Sequence, residues 1–297
     1  MVKTINIANE INKNYSYIII SILILIYSII IQYRYMAYFF PSKKITYLPS
    51  EFNMKYKEIN IEKLNGWFFN HTQLASDKTN NKTNNLLIYF HGNAGNISNR
   101  IWIIKQLLNI FPNTDIYIYD YPQFGSSSGQ LNISNIISSA YTVYSYWSSI
   151  NANQYTNITL FGESIGAGII AELYKVLIKF NYHNMPKMIV HLNGLTSLYK
   201  VIDTIIPSIS KPFILPWITE FDCEKIYLKN ITKLPKLLIL HTETDEIINI
   251  NLVYELINKL SYSNNLHFIK IEGSHCQPII DEICIKKIKY VYGMNPL

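Results

Sequence analysis

The chain has 297 residues, 49% of them apolar, with a formal charge of +6 at pH 7. That length buries one large core and leaves room for an appendage. The basic residues are scattered rather than interleaved with aromatics along a stripe, which argues against nucleic-acid binding, and the three cysteines, Cys223, Cys276 and Cys284, are too few and too unevenly spaced for a disulfide framework or a C-x-x-C zinc site.

From Asn14 to Tyr33 no side chain is charged, and Ile18 to Ile26 is apolar on nearly every face. Twenty such residues in a helix reach across a hydrocarbon core, so a single transmembrane helix is expected over about 14–33. Tyr15, Tyr17, Tyr33, Tyr35 and Tyr38 suit the two interfaces, and Arg34, Lys43 and Lys44 mark the exit. The apolar run is long and no A-x-A-like site follows it, so a retained anchor is expected rather than a cleaved leader. Lys3 and Lys13 nearly balance the basic residues beyond the run, which leaves the membrane face open. The chain thus divides into a tail and anchor, 1–40, and a second domain, 41–297, with the bilayer as a partner.

Tyr56 to Ile61 and Gly66 to Asn70 read as an antiparallel pair, and the polar run Asp77 to Asn85 as a solvated loop. Beyond it, strand-like runs at Leu86–Phe90, Asp115–Tyr119, Asn157–Phe161, Met188–Leu192, Leu237–Leu240 and His267–Ile271 alternate with stretches of helical spacing such as Ile97–Ile110 and Ile133–Trp147. This alternation implies an α/β fold, a mostly parallel sheet with helices on both faces. Ile205 to Ile218 breaks the rhythm: Pro207, Pro212 and Pro216 preclude a long helix, so an irregular apolar connection is expected. It is either a packed loop or a lid, and in the second case Phe213 and Trp217 are candidates to hold an apolar substrate.

Gly162-Glu163-Ser164-Ile165-Gly166 sits between a strand-like and a helix-like run, the context of a nucleophile elbow, in which a sharp turn holds the serine hydroxyl up at the sheet edge. The competing reading is a helix entry with Ser164 as N-cap. A nucleophilic serine needs a base, and the base needs a carboxylate to fix its tautomer. Asp245 follows the run Leu237–Leu240 and His275 follows His267–Ile271, so serine, acid and histidine occur in the order of the α/β-hydrolase arrangement. Glu246 and Asp203 are lesser candidates for the acid, and His241, ending an apolar strand, reads as a structural histidine. The oxyanion donors are expected to be the backbone N–H of Ile165 and one from His91-Gly92-Asn93-Ala94-Gly95-Asn96, with Asn93 preferred and Ala94 its neighbour. That glycine-rich loop lacks the Lys-Ser/Thr of a phosphate cradle. No metal or cofactor is required.

Together with Tyr119-Asp120-Tyr121-Pro122-Gln123-Phe124-Gly125-Ser126-Ser127-Ser128-Gly129 and Glu272-Gly273-Ser274-His275, these motifs resemble the membrane-associated α/β-hydrolases of the bud-emergence-like group and the related protein-depalmitoylating serine hydrolases, over about residues 50 to 290. The resemblance implies the α/β-hydrolase fold, a Ser164-Asp245-His275 triad and hydrolysis of acyl esters or thioesters of an acylated protein or lipid. The chain departs from the group in having Thr242 after His241, Pro122 after Tyr-Asp-Tyr and Cys276 after His275. A non-enzymatic alternative keeps the fold and makes the chain a membrane-tethered scaffold in membrane organisation or cell morphogenesis.

Overall fold

The computed structural model describes residues 2–33, 38–71, 83–111, 113–150 and 154–293. Most of the polar run Asp77 to Asn85, together with Arg34 and Tyr35, lies outside the described residues. The chain forms two units, Met1–Phe40 and Pro41–Leu297.

In the first unit, α1 (Val2–Tyr33) is a single helix. From Tyr15 to Ile29 its side chains are exposed, apart from half-buried Tyr27. Among the described residues no helix is long and apolar enough to cross a membrane.

In the second unit, nine strands of the described residues make one sheet. They are β1 (Lys57–Glu58), β2 (Gly66–Phe69), β3 (Asn85–Phe90), β4 (Asp115–Tyr119), β5 (Asn157–Glu163), β6 (Met188–Leu192), β7 (Lys236–Thr242), β8 (Leu266–Gly273) and β9 (Pro278–Ile279). Their order across the sheet is β9-β8-β7-β6-β5-β3-β4-β2-β1. The six strands from β4 to β8 in that order run parallel, and antiparallel β2 and β9 flank them. Strands covered on both faces carry unbroken apolar runs, and β4 and β6 are accordingly buried at every position.

The helices are α2 (Ile101–Ile110), α3 (Ile133–Ser145), α4 (Ile165–Lys179), α5 (Leu198–Ile205), α6 (Lys211–Ile214), α7 (Cys223–Lys229), α8 (Ile250–Leu260) and α9 (Glu282–Tyr292). Alternate strand residues such as Leu87, Tyr89, Val190, Leu192, Leu238 and Leu240 form one core with Ile104 and Leu108 of α2 and Ile288 of α9. Helices α3, α4 and α7 pack in series with one another.

The stretch Ile97–Ile110 is not one α-helix: a 3-10 turn over Ile97–Arg100 precedes α2. Asn96 sets this entry, accepting from the Ser98 N–H at 2.9 Å while Asn99 accepts from the Asn96 N–H at 3.0 Å. Likewise α3 ends at Ser145 and passes into a wider turn over Tyr146–Ile150. The proline-rich segment breaks into α5, two 3-10 turns and the single-turn α6. Its two roots are pinned together, since Ser197 pairs with Asp222 and the Leu198 N–H donates to Phe221 O at 3.2 Å.

Because β3, β5, β6, β7 and β8 are parallel, the loops that follow them gather at one edge of the sheet, where open α/β sheets build their sites.

Candidate active site

Only Ser164 separates the end of β5 from the start of α4, so this one residue must turn the chain. It does so at φ 54° and ψ −119°, a conformation that favours glycine. Its side chain makes no capping bond to the helix, which removes the N-cap reading. The flanking glycines are a steric requirement. A Cβ on Gly162 would lie 2.6 Å from the Ala167 nitrogen, and one on Gly166 only 2.1 Å from Phe90 O. That second contact also shows how closely the end of β3 abuts the Ser164 turn.

Ser164 Oγ lies 3.0 Å from His275 Nε2, and His275 Nδ1 lies 2.8 Å from Asp245 Oδ2. An ionised Asp245 only accepts, so Nδ1 carries the proton and Nε2 is left to accept from the serine hydroxyl. Asp245 is itself fixed, its Oδ1 accepting from the N–H of Ile247 at 2.9 Å and of Ile248 at 2.7 Å. Burial pushes its carboxyl up, but the bonds from His275 and these N–H groups outweigh that and hold it below the usual carboxylate range.

Glu246 faces elsewhere on the same loop, accepting from the His275 backbone N–H at 3.0 Å, while Asp203 pairs with Lys211 at 2.9 Å. His241 is buried, its Nε2 2.8 Å from Ile248 O and 3.5 Å from Asp245 Oδ2. Burial lowers its pKa, so it stays neutral beside the acid.

The N–H of Ile165 opens α4 and, as a first-turn group, has no intrahelical acceptor. Asn93 is half-buried in the loop after β3, and Ala94 is exposed. Phe213 and Trp217, 76% and 44% exposed, lie in the excursion between α5 and α7, outside the hydrogen-bonded Ser-His-Asp cluster. The excursion nonetheless grows from a loop bonded to Ser164, since the Leu195 N–H donates to Ser164 O at 2.9 Å.

Two further devices escaped the sequence reading. Asn193, at φ 45° after β6, spends its whole amide on the site: Nδ2 donates to Ser274 O at 3.2 Å and His275 O at 3.0 Å, and Oδ1 accepts from Thr242 N at 2.8 Å and Thr242 Oγ1 at 3.0 Å. It ties the histidine loop to the end of β7. The second is a cluster of Arg100, Tyr89 and Glu163, the residue before Ser164. Burial would raise the Glu163 carboxyl, yet the adjacent guanidinium and the bonds from Arg100 and Tyr89 bring it down to about 2. The signal for both was a polar residue ending or directly following an apolar strand, at Glu163 and Asn193.

Among the described residues no group of three or more His, Cys, Asp or Glu side chains is arranged to hold a metal ion. The arrangement links a serine hydroxyl, an imidazole and a carboxylate in one hydrogen-bonded chain at the start of α4.

Residues 1–197 match the Say1_Mug180 family, described as steryl acetyl hydrolase, a stretch that includes Ser164 and ends before Asp245 and His275. The uncharacterized protein R595 of Acanthamoeba polyphaga mimivirus is 27% identical over 239 residues, 73% of this chain and 74% of its own. Protein bem46 of Schizosaccharomyces pombe is 27% identical over 201 residues, 67% of this chain and 64% of its own. Among solved structures, the Pyrococcus furiosus esterase PF2001 superposes with a TM-score of 0.61 at 15% identity, covering 86% of this chain and 96% of that one. At that identity the likeness establishes the fold alone. With a family match over more than half its length, the chain belongs to the steryl acetyl hydrolase family and is an α/β-hydrolase with bem46-like relatives.

Proposed function

We propose that the chain is a serine hydrolase that cleaves acyl esters through Ser164, His275 and Asp245. The observation that carries this reading is the continuous Ser-His-Asp hydrogen-bond chain, at 3.0 and 2.8 Å, ending on a serine held in a strained turn. His275 Nε2 takes the Ser164 proton as Oγ attacks the carbonyl carbon, and Asp245 stabilises the imidazolium that forms. The N–H groups of Ile165 and Asn93 stabilise the oxyanion, and His275 returns the proton to the leaving oxygen. Water, activated by the same histidine, then attacks the acyl-enzyme and frees Ser164.

The substrate class is an acyl ester or thioester carried by a lipid or an acylated protein. Two observations support an apolar substrate: the family is described by the hydrolysis of steryl acetates, and the excursion rooted beside Ser164 exposes Ile209 (81%), Phe213 (76%) and Trp217 (44%). In this reading α1 tethers the enzyme to a bilayer, supported by the exposed apolar side chains from Ile18 to Ile26.

Fluorophosphonate labelling of the detergent-solubilised full chain, beside Ser164→Ala, tests the mechanism. Labelling is expected in the wild type alone; a folded wild type that neither labels nor hydrolyses any acyl ester refutes it. Steryl acetate, long-chain acyl esters and acyl thioesters offered in mixed micelles then rank the substrate class. Retention of the chain in the membrane pellet after alkaline carbonate tests the anchor, and release by carbonate refutes it.

A further inference from the structure

One guanidinium joins the residue before the nucleophile to the loop that faces it. Arg100 donates from Nε to Glu163 Oε2 at 3.0 Å, from one terminal nitrogen to Glu163 Oε1 at 3.2 Å and from the other to the Ala94 carbonyl at 2.7 Å. Tyr89 closes the cluster, its hydroxyl donating to Glu163 Oε2 at 2.7 Å. The Arg100 side chain is 11% exposed, so this is a shielded, two-pronged pair rather than a loose surface contact.

The loop lies directly on the pair. A Cβ on Gly92 would stand 3.0 Å from Glu163 Oε1 and 3.1 Å from an Arg100 terminal nitrogen, and one on Gly95 would stand 3.2 Å from the other terminal nitrogen. Gly92, Asn93, Ala94 and Gly95 offer little side chain with which to brace themselves. Their backbone has to be held from outside if its N–H groups are to keep one direction.

We propose that Arg100, clamped by Glu163, is a positioning residue that holds the Asn93–Ala94 backbone where its N–H meets the oxyanion formed at Ser164. The inference rests on the Ser164 mechanism proposed above. Donors fixed before the reaction need no reorientation as charge develops, and the Ala94 carbonyl that Arg100 grips is two peptide units beyond the Gly92–Asn93 peptide that carries the Asn93 N–H. Glu163 is fixed to the nucleophile by the chain itself, so the guanidinium measures the gap between nucleophile and loop. Arginine suits this task because its planar fork presents several donors at once, whereas a lysine ammonium is a single point of charge.

The test is Arg100→Lys in the full chain, assayed on p-nitrophenyl acetate. Lysine preserves the charge opposite Glu163 but cannot hold both Glu163 oxygens and the Ala94 carbonyl in one plane. The expected result is a fall in kcat of about 10- to 100-fold with KM within about threefold of wild type, on the scale of losing or misplacing one oxyanion donor. The pH–rate profile should keep its acidic limb, because His275 is untouched, and lose only plateau height. A folded Arg100→Lys with kcat within about threefold of wild type overturns the proposal. Should that variant fail to fold, Glu163→Gln is the second arm; a drop of at least about fivefold in kcat at unchanged KM is expected, and an unchanged kcat overturns the proposal. Absence of fluorophosphonate labelling in the wild type would instead count against the Ser164 mechanism, so the two failures are distinct.

Discussion

At φ 54° and ψ −119°, Ser164 is held where only glycine sits without penalty, and this makes a sharp prediction about stability. A non-glycine residue in such a region costs about 1–3 kcal/mol. Ser164→Ala keeps the Cβ and therefore the strain, whereas Ser164→Gly removes it and returns about 0.5–1 kcal/mol through the larger backbone entropy of glycine in the unfolded chain. Both variants lose the 3.0 Å bond to His275, so that loss cancels between them. Ser164→Gly should therefore be more stable than Ser164→Ala by about 1 kcal/mol, with an upper end near 2. For a unit of this size that is a Tm difference of roughly 2–4 °C per kcal/mol. Urea unfolding of the two variants side by side, followed by tryptophan fluorescence, measures the difference through the midpoints at constant slope. If Ser164→Ala were as stable as Ser164→Gly, or more so, the turn would not be strained and the elbow argument would fail. Both variants should be inactive, so a stabilised but dead enzyme is the expected outcome for glycine.

Gly166→Ala should cost about 1–3 kcal/mol and lower kcat by at least tenfold, because its Cβ has only backbone atoms of Phe90 and His91 to displace; a fully active, fully stable variant would contradict the close approach. Asn193→Ala takes the Asn193 donor from the carbonyls of Ser274 and His275 and the acceptor from the Thr242 N–H, and Ser274 O keeps only the Gln277 N–H; an expected loss of about 2 kcal/mol by denaturation goes with a fall in kcat. Asn193→Asp should be at least as damaging, since it removes both donors and sets a carboxylate against two carbonyls, and a milder Asp variant would show that the donors do not matter. Acid stability offers a further test. His91 and His191 are held at about 3 by burial, aided by Arg100 beside the first and His241 beside the second. Between pH 6.5 and about 3 the unfolded chain therefore binds protons that the folded chain refuses, and stability falls with pH by about 1.4 kcal/mol per unit for each histidine. Asp120 opposes one of them: burial raises its carboxyl to about 7, so from pH 7 down to about 4 the folded state takes up the proton first and gains stability. The expected net slope between pH 4 and 6.5 is about 1.4 kcal/mol per unit from these three groups. His191→Gln should lower the slope measured in urea titrations across that range by about 1.4 kcal/mol per unit, and an undiminished slope would show that His191 is not held neutral.

Much of this protein is written in short-range terms. The apolar runs at Asp115–Tyr119 and Met188–Leu192 have the strand bounds observed, because strands buried on both faces must be apolar throughout and turn residues punctuate them. The glycines around Ser164, and the acid and histidine that follow later strands, are legible for the same reason: local backbone geometry and chain order constrain them. The helix over Val2–Tyr33 is likewise a matter of local composition. What the tertiary structure alone decides is which residues meet across the sheet. Arg100 and Glu163 are 63 positions apart, and Asn193 and His275 are 82 apart. No periodicity in one segment records such pairings, because they arise from strand order and register, with β3 placed beside β5 and β6 beside β7. The sequence by itself determined the chemistry on offer at the ends of the strands; the order of the strands decided which of those groups touch, because hydrogen bonds of about 3 Å depend on distances that only the packed sheet defines.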